Sequence, residues 1–284
     1  MRADRPSLTA QRVALSRAAH QLYDTPRILD DPIARRIIGA HGEAELRTQR
    51  HRFDTRIARR LRAFLVARSR VAEEALAAAI ARGVRQYVVL GAGLDTFAFR
   101  NPYPAALLRV FEVDHPATQA WKRARLAAAG IPLPDALTFV PIDFETQSLA
   151  AALQAAGLRS ERPAFFSWLG VTMYLTLDAV LATLRYVASS LPEGSAIVFD
   201  YVVPLSSVAL VPRLAARTLL LRLAASGEPW KTFLDPALLG TQLRALGFTH
   251  TEDSGPDELQ ARFFRDREDE LQLARLGRVM CASR

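Results

Sequence analysis

The chain is poor in the residues that most often betray a protein's chemistry. One cysteine, Cys281, stands in 284 residues. That excludes a disulfide framework and any cysteine-based zinc site, and no metal is expected. Lysine is scarcer than arginine by a wide margin: Lys122 and Lys231 are the only two among 37 basic residues. A Schiff-base enzyme would have to use one of them, and neither ends a predicted strand. No apolar run reaches the roughly 18 residues of a membrane span; the longest candidate, Val208 to Ala225, is broken by arginines. The opening MRADRPSLTA lacks the apolar core of a secretion signal. There is no G-x-S-x-G elbow, no H-E-x-x-H and no P-loop lysine motif, so hydrolase, zinc-protease and NTPase readings have no support. What is left is a reduced, cytoplasmic protein without a membrane partner. With half its residues apolar and 23% charged, it has the composition of a packed domain rather than a disordered chain.

The charge is unevenly placed. Net charge is +8, and residues 1–70 hold sixteen arginines against seven acids, leaving the remainder close to neutral. Only Tyr23, Phe53 and Phe64 fall among those arginines, without the regular aromatic interleaving of a nucleic-acid binder. The basic quarter therefore reads as a solvated helical surface, and no nucleic-acid partner is expected.

Residues 8–82 read as helical, most clearly from Asp54 to Arg82. There Ile57, Leu61, Phe64 and Leu65 share one face, arginines take the other, and Gly83 supplies a stop. The texture then changes to short runs rich in β-formers. These are Gln86–Leu90, Leu108–Val113, Thr138–Ile142, Ala164–Trp168 and Ser195–Phe199, separated by helical patterns at Pro116–Ala129, Ser148–Ala156 and Leu177–Ser190. Apolar strands alternating with helices predict a parallel sheet covered on both faces, with ligands at the carboxyl ends of its strands. Phe248–Thr251 and Arg278–Ala282 read as two closing strands paired antiparallel. The expected architecture is an α/β, Rossmann-like, mainly parallel seven-stranded sheet with an antiparallel strand near the C-terminus. It forms a single domain over 1–284, with a helical N-terminal cap (1–82) and a helical lid insertion (204–235), and is a monomer or homodimer.

The strand ends carry the chemistry. Strand one delivers Val88-Val-Leu-Gly-Ala-Gly-Leu-Asp-Thr96, where two glycines allow a tight turn and close approach of a ligand to the backbone. A dinucleotide fingerprint would place a third glycine at Thr96, and the Asp95 carboxylate would repel a pyrophosphate but attract a cation. Strand two ends in Asp114, 23 residues after Gly91, with Glu112 two positions before it. That is the spacing of an acid that binds ribose hydroxyls. Glu112 and Asp114 share a strand face, so one can serve the ribose and the other support the loop. Asp143-Phe144 after strand three offers an acceptor for an exocyclic amine and a ring to stack on a purine. Three acids at successive strand ends suit a nucleoside without phosphate, and S-adenosylmethionine, with its sulfonium cation, is such a ligand.

Gln86-Tyr-Val-Val-Leu-Gly-Ala-Gly-Leu-Asp-Thr-Phe-Ala-Phe-Arg100, followed by Phe111-Glu-Val-Asp-His-Pro116, resembles the leucine carboxyl methyltransferase-like family. That is a branch of the class I S-adenosylmethionine-dependent methyltransferases that includes bacterial polyketide O-methyltransferases. Arg17-Ala-Ala-His20, Asp30-Asp-Pro32 and Trp168-Leu-Gly-Val-Thr-Met-Tyr-Leu-Thr176 extend the resemblance over roughly residues 10–200. It implies that Gly91, Ala92 and Gly93 hold the methionine part of S-adenosylmethionine, that Asp114 with Glu112 and His115 beside it serves the ribose, and that Asp143-Phe144 meets the adenine. Arg68, with Arg70 as the alternative, pairs with the cofactor carboxylate, and Trp168 at the end of strand four and Leu169 after it lie beside the cofactor. Leu169 stands where many members carry a glutamate, so that contact is missing or supplied elsewhere.

Methyl transfer is an in-line displacement that needs the nucleophile held close to the methyl group and water excluded. A carboxylate acceptor needs only a cation beside it, whereas a hydroxyl wants a base. His20, His115 and Tyr174 are the candidates for that role, with no single base singled out. The reading is an S-adenosylmethionine-dependent O-methyltransferase acting on a small-molecule carboxylate or hydroxyl, in polyketide or other secondary metabolism. The alternatives are an NAD(P)-dependent oxidoreductase and a non-enzymatic nucleic-acid-binding regulator.

Overall fold

In a computed structural model, which describes residues 8–143, 147–207, 220–221, 224, 229–269 and 271–284, seven strands form one sheet in the order β3-β2-β1-β4-β5-β7-β6. They are β1 (Gln86–Leu90), β2 (Arg109–Asp114), β3 (Leu137–Pro141), β4 (Ala164–Trp168), β5 (Ala196–Val202), β6 (His250–Ser254) and β7 (Gly277–Ser283). The first five pair parallel, and β7 runs antiparallel between β5 and β6. The sheet is Rossmann-like, as the alternation of strand and helix signals predicts, and the two closing strands do pair antiparallel. Observed strand bounds move by one to three residues at β2, β3, β5, β6 and β7, where loops rather than patterning set the ends.

The long helical reading of residues 8–82 resolves into α1 (Leu8–Tyr23), α2 (Pro32–Ile37), α3 (Gly39–Thr48), α4 (Arg50–Phe53) and α5 (Arg56–Ala81). Asp31 caps α2, accepting from the Ala34 N–H at 3.1 Å ahead of Pro32, and Thr55 caps α5 in the same way at 3.2 Å. One detail of α5 differs from expectation. Phe64 and Leu65 are buried, but Ile57 is 70% and Leu61 42% exposed, because the buried stretch of the helix begins only at Arg62. Farther along lie α6 (Pro116–Ala128), α7 (Leu149–Ala155), α8 (Leu177–Ser190), α9 (Pro236–Leu246) and α10 (Pro256–Phe263). Of the expected lid, residues 208–219, 222–223 and 225–228 lie outside the described residues. A short 3₁₀ turn at Leu205–Ser207 and the irregular stretch 229–235 flank them.

Every residue of β1, β4 and β5 is buried, because both sheet faces are covered. Alternation sends Val88, Leu90, Phe111, Phe166 and Trp168 into one core with α8 and α9. Tyr87, Val89, Val110, Phe165 and Val198 enter the other, beneath α5. A third apolar cluster joins α1, α2 and α3 to Leu94 and Leu126, fastening the N-terminal helices over the carboxyl end of β1. The strand order reverses between β1 and β4, so the loops that follow these two strands leave in opposite directions and open a crevice. No helix among the described residues is long and apolar enough to cross a membrane.

Candidate active site

That crevice holds a cavity of about 330 Å³ lined from α1, α5, the loops after β1, β2, β3 and β4, and the stretch at Pro229 and Lys231. Its floor is the glycine turn. Gly91 has φ of +65° and Gly93 +49°. A Cβ on Gly91 would lie 2.4 Å from Val171 Cγ2, and one on Gly93 would lie 3.1 Å from Ala10 Cβ. Close approach of the β4 loop therefore requires glycine at 91 quite apart from the backbone angle, whereas at 93 the positive φ is the main reason and the contact with α1 is only tight.

Asp114 fixes that turn from the neighbouring strand. Its Oδ2 accepts from the Gly93 N–H at 2.5 Å and its Oδ1 from the His115 N–H at 2.7 Å. Burial pushes the Asp114 carboxyl above the ordinary range, and the two N–H donors pull against that rise without cancelling it. Each carboxylate oxygen keeps a second lone pair for a ligand, and Asp114 lines the cavity. On the opposite wall Arg68 from α5 donates Nη1 to Asp200 Oδ2 at 2.5 Å, while Asp200 Oδ1 accepts the Gly170 N–H at 2.5 Å. A single buried carboxylate within β5 thus fixes both a cationic side chain and the loop after β4. Gly170, with φ of +77°, leaves room for the guanidinium, since a Cβ there would sit 2.9 Å from Arg68 Nη2.

Ala92, His115, Asp143, Leu169 and Tyr174 line the same cavity, together with Gly91, Gly93, Asp114 and Arg68. Arg70, the alternative to Arg68, instead pairs with Glu74 on the exposed side of α5 at 2.6 Å. Tyr174 Oη lies 3.3 Å from Thr9 Oγ1, tying the β4 loop to α1. Phe144, expected to stack on the adenine, lies outside the described residues.

Three expected contacts are placed elsewhere. His20 is inaccessible: its Nδ1 bonds Asp24 Oδ2 at 2.8 Å and its Nε2 accepts the Ile28 N–H at 3.0 Å. With Nε2 accepting, the ring proton sits on Nδ1, so both nitrogens are spent on holding the 24–31 loop. Glu112 shares the strand face of Asp114 but lies deeper, off the cavity, bonded to Lys122 Nζ at 2.5 Å. Of the two roles left open for that acid pair, support of the loop falls to Asp114, through the Gly93 and His115 N–H groups, and Glu112 is paired with α6 instead. Trp168 points the other way along β4, fully buried among Phe199 and the apolar core on the far face.

Other groups at the site carry weaker signals. Asp200, buried behind the wall, follows the apolar run Ser195–Phe199 as Asp114 and Asp143 follow theirs, and that recurrence is readable in the sequence. Glu73 and Arg17 are not, since a charged residue on a helix gives no hint of which way it faces. Among the described residues no cluster of histidine, cysteine or carboxylates could hold a metal. The donor set suits a zwitterionic nucleoside: a guanidinium for a carboxylate, strand-end acids for hydroxyls and cations, and a glycine cradle that a Cβ would fill.

Comparison with known proteins agrees with this geometry. A family model described as Leucine carboxyl methyltransferase matches residues 10–188. A Bacillus subtilis (strain 168) protein named "Putative S-adenosyl-L-methionine-dependent methyltransferase YktD" is 35% identical over 291 residues, covering 95% of each chain. The crystal structure of "a putative methyltransferase" from Thermobifida fusca YX matches all of this chain and 96% of its own, at 16% identity and a TM-score of 0.57. That of a DUF574 family protein from Streptomyces avermitilis covers 98% of each chain at 16% identity, with a TM-score of 0.56. At those identities the two structures establish a shared fold.

Proposed function

This chain belongs to the leucine carboxyl methyltransferase family and is an S-adenosylmethionine-dependent methyltransferase, and from that premise we propose that it methylates a carboxylate oxygen of a small-molecule acid. The family assignment displaces the nicotinamide-dependent alternative. When bound, the cofactor supplies a methyl group already activated by its sulfonium, so the protein's task is to hold the acceptor in line and keep water out.

Arg68, positioned by Asp200, takes the cofactor carboxylate, and the Gly91-Ala92-Gly93 turn takes the methionine backbone. Asp114 takes the ribose hydroxyls and Asp143 the adenine amine. The observation that carries the choice of acceptor is the state of the lining histidine. His115 Nδ1 accepts the Ala117 N–H at 3.3 Å as the cap of α6. A neutral ring that accepts at Nδ1 carries its proton on Nε2, so it offers no lone pair there to a hydroxyl proton. A carboxylate acceptor asks for no base, only a cation. Lys231 stands at the cavity, its backbone N–H bonded to the Met173 carbonyl at 2.7 Å, and α1 lines the same cavity.

Acids of polyketide or other secondary metabolism are the acceptor class to try first. The test is transfer of a labelled methyl group to a panel of small carboxylic acids, phenols and aliphatic alcohols, followed by mild alkali. Label released as volatile methanol marks a methyl ester and supports the carboxylate. Alkali-stable label on a phenol or alcohol overturns it in favour of a hydroxyl acceptor.

A further inference from the structure

We propose that Glu73 and Asp95 make the site select the charged cofactor over its spent form: they turn the unbalanced negative charge of a buried network onto the cavity, favouring S-adenosylmethionine, whose sulfur is cationic, over S-adenosylhomocysteine, whose sulfur is neutral.

The network joins four segments of the chain. Arg17 of α1 donates to Asp31 at 2.6 Å, to Thr96 Oγ1 at 2.8 Å and to Asp95 at 3.0 Å. Arg100 grips both carboxylate oxygens of Glu73 and approaches Asp31 at 3.4 Å. Two guanidiniums therefore face three carboxylates. Asp31 is fully inaccessible and spends its oxygens inside the network, on Arg17, Thr96 and the cap of α2. The side chains of Asp95 and Glu73 each remain 22% exposed, and both line the cavity. The excess charge thus opens toward the ligand rather than toward the core.

Its neighbours do not cancel it. Lys122 with Glu112 and Arg68 with Asp200 are each internally neutral pairs, and the one further lining cation among the described residues, Lys231, is outnumbered by the lining carboxylates of Asp114 and Asp143. Burial alone would make Arg17 and Arg100 easier to deprotonate, yet both hold their protons more firmly than usual because the carboxylates around them prevail. The carboxylates are also held rigidly by their arginines and by the Phe97 N–H, which donates to Asp95 Oδ1 at 2.8 Å. Preorganised charges in a partly dehydrated cavity act on a ligand cation more strongly than the same groups would in water. When the methyl group departs to the acceptor oxygen, the electron pair of the C–S bond stays on sulfur and its charge disappears. The product is then held less tightly than the cofactor, which eases exchange of one for the other. None of this depends on which acceptor is used.

The test is calorimetric titration of the full chain with S-adenosylmethionine, with S-adenosylhomocysteine and with sinefungin, in which a protonated amine replaces the sulfonium methyl. The wild type should bind the two cationic ligands on the order of tenfold more tightly than the neutral one. Glu73→Gln and Asp95→Asn, which keep shape and most hydrogen bonds, should bring that ratio toward one while changing S-adenosylhomocysteine affinity little. Equal affinities in the wild type would overturn the proposal, and so would variants that weaken all three ligands alike, the behaviour of a purely structural network. If Asp95→Asn fails to fold, the wild-type ratio and Glu73→Gln decide.

Discussion

Gly91→Ala tests whether the glycine turn is built by close packing or by ligand need alone. The added Cβ would lie 2.4 Å from Val171 Cγ2, about 1 Å inside ordinary carbon–carbon contact. It would also sit at φ of +65°, where a Cβ costs about 1 kcal/mol. Forcing one methyl into a packed contact costs roughly 1–3 kcal/mol more, so the substitution should destabilise the fold by about 2–4 kcal/mol. The steric part can be separated from the conformational part. Val171 is half-buried, and trimming it to alanine removes the methyl that the added Cβ would meet. Gly91→Ala combined with Val171→Ala should recover most of the overpacking cost and leave about 1 kcal/mol of backbone strain, giving a favourable coupling of about 1–3 kcal/mol. Urea denaturation of the wild type, both single variants and the double variant measures that coupling. A double variant whose loss equals the sum of the singles, or a Gly91→Ala protein within about 0.5 kcal/mol of wild type, would refute the packing argument.

Asp200→Ala leaves the Arg68 charge and the Gly170 N–H without their shared acceptor; it should cost about 3–5 kcal/mol of stability and weaken S-adenosylhomocysteine binding, with Asp200→Asn milder on both counts in thermal melts and calorimetry. Asp24 gives a pH signature. Burial would raise its carboxyl, but hydrogen bonds from Arg62 and His20 outweigh this and hold it at about 2, below its ordinary 3.8. Because the folded value is the lower, the stabilisation of about 2 kcal/mol is present above pH 4 and lost as pH falls through about 2. The stability gap between wild type and Asp24→Asn should shrink across that window in denaturation curves; a gap that is constant with pH would contradict the assignment.

How much of this was legible beforehand varied with the length scale of the interaction. β1 and β4 were readable to the residue because both are short apolar runs buried on two faces, and α8 because Thr176 caps it and its periodicity is regular. Gly91, Gly93 and Asp114 were readable because a tight turn and a ribose-spaced acid are local patterns. His20 illustrates the opposite case. A histidine in a recurring motif invites a catalytic reading, and only the return of the 24–31 loop onto α1 shows that both ring nitrogens are taken by Asp24 and the Ile28 N–H. The exposed Ile57 and Leu61 belong to the same class, since periodicity gives a helix its apolar face but not the point along its length where burial begins.

By itself, then, the sequence determined the alternation of strands and helices, the glycine turn and the acids that end the strands, all consequences of backbone sterics and patterning within some twenty residues. Tertiary structure alone decided which charges meet. Arg17 reaches Asp95 across 78 positions and Arg68 reaches Asp200 across 132. Such pairs form because the sheet's strand order brings α1, α5 and the strand ends to one crevice, and nothing local to an arginine records where its carboxylate will come from.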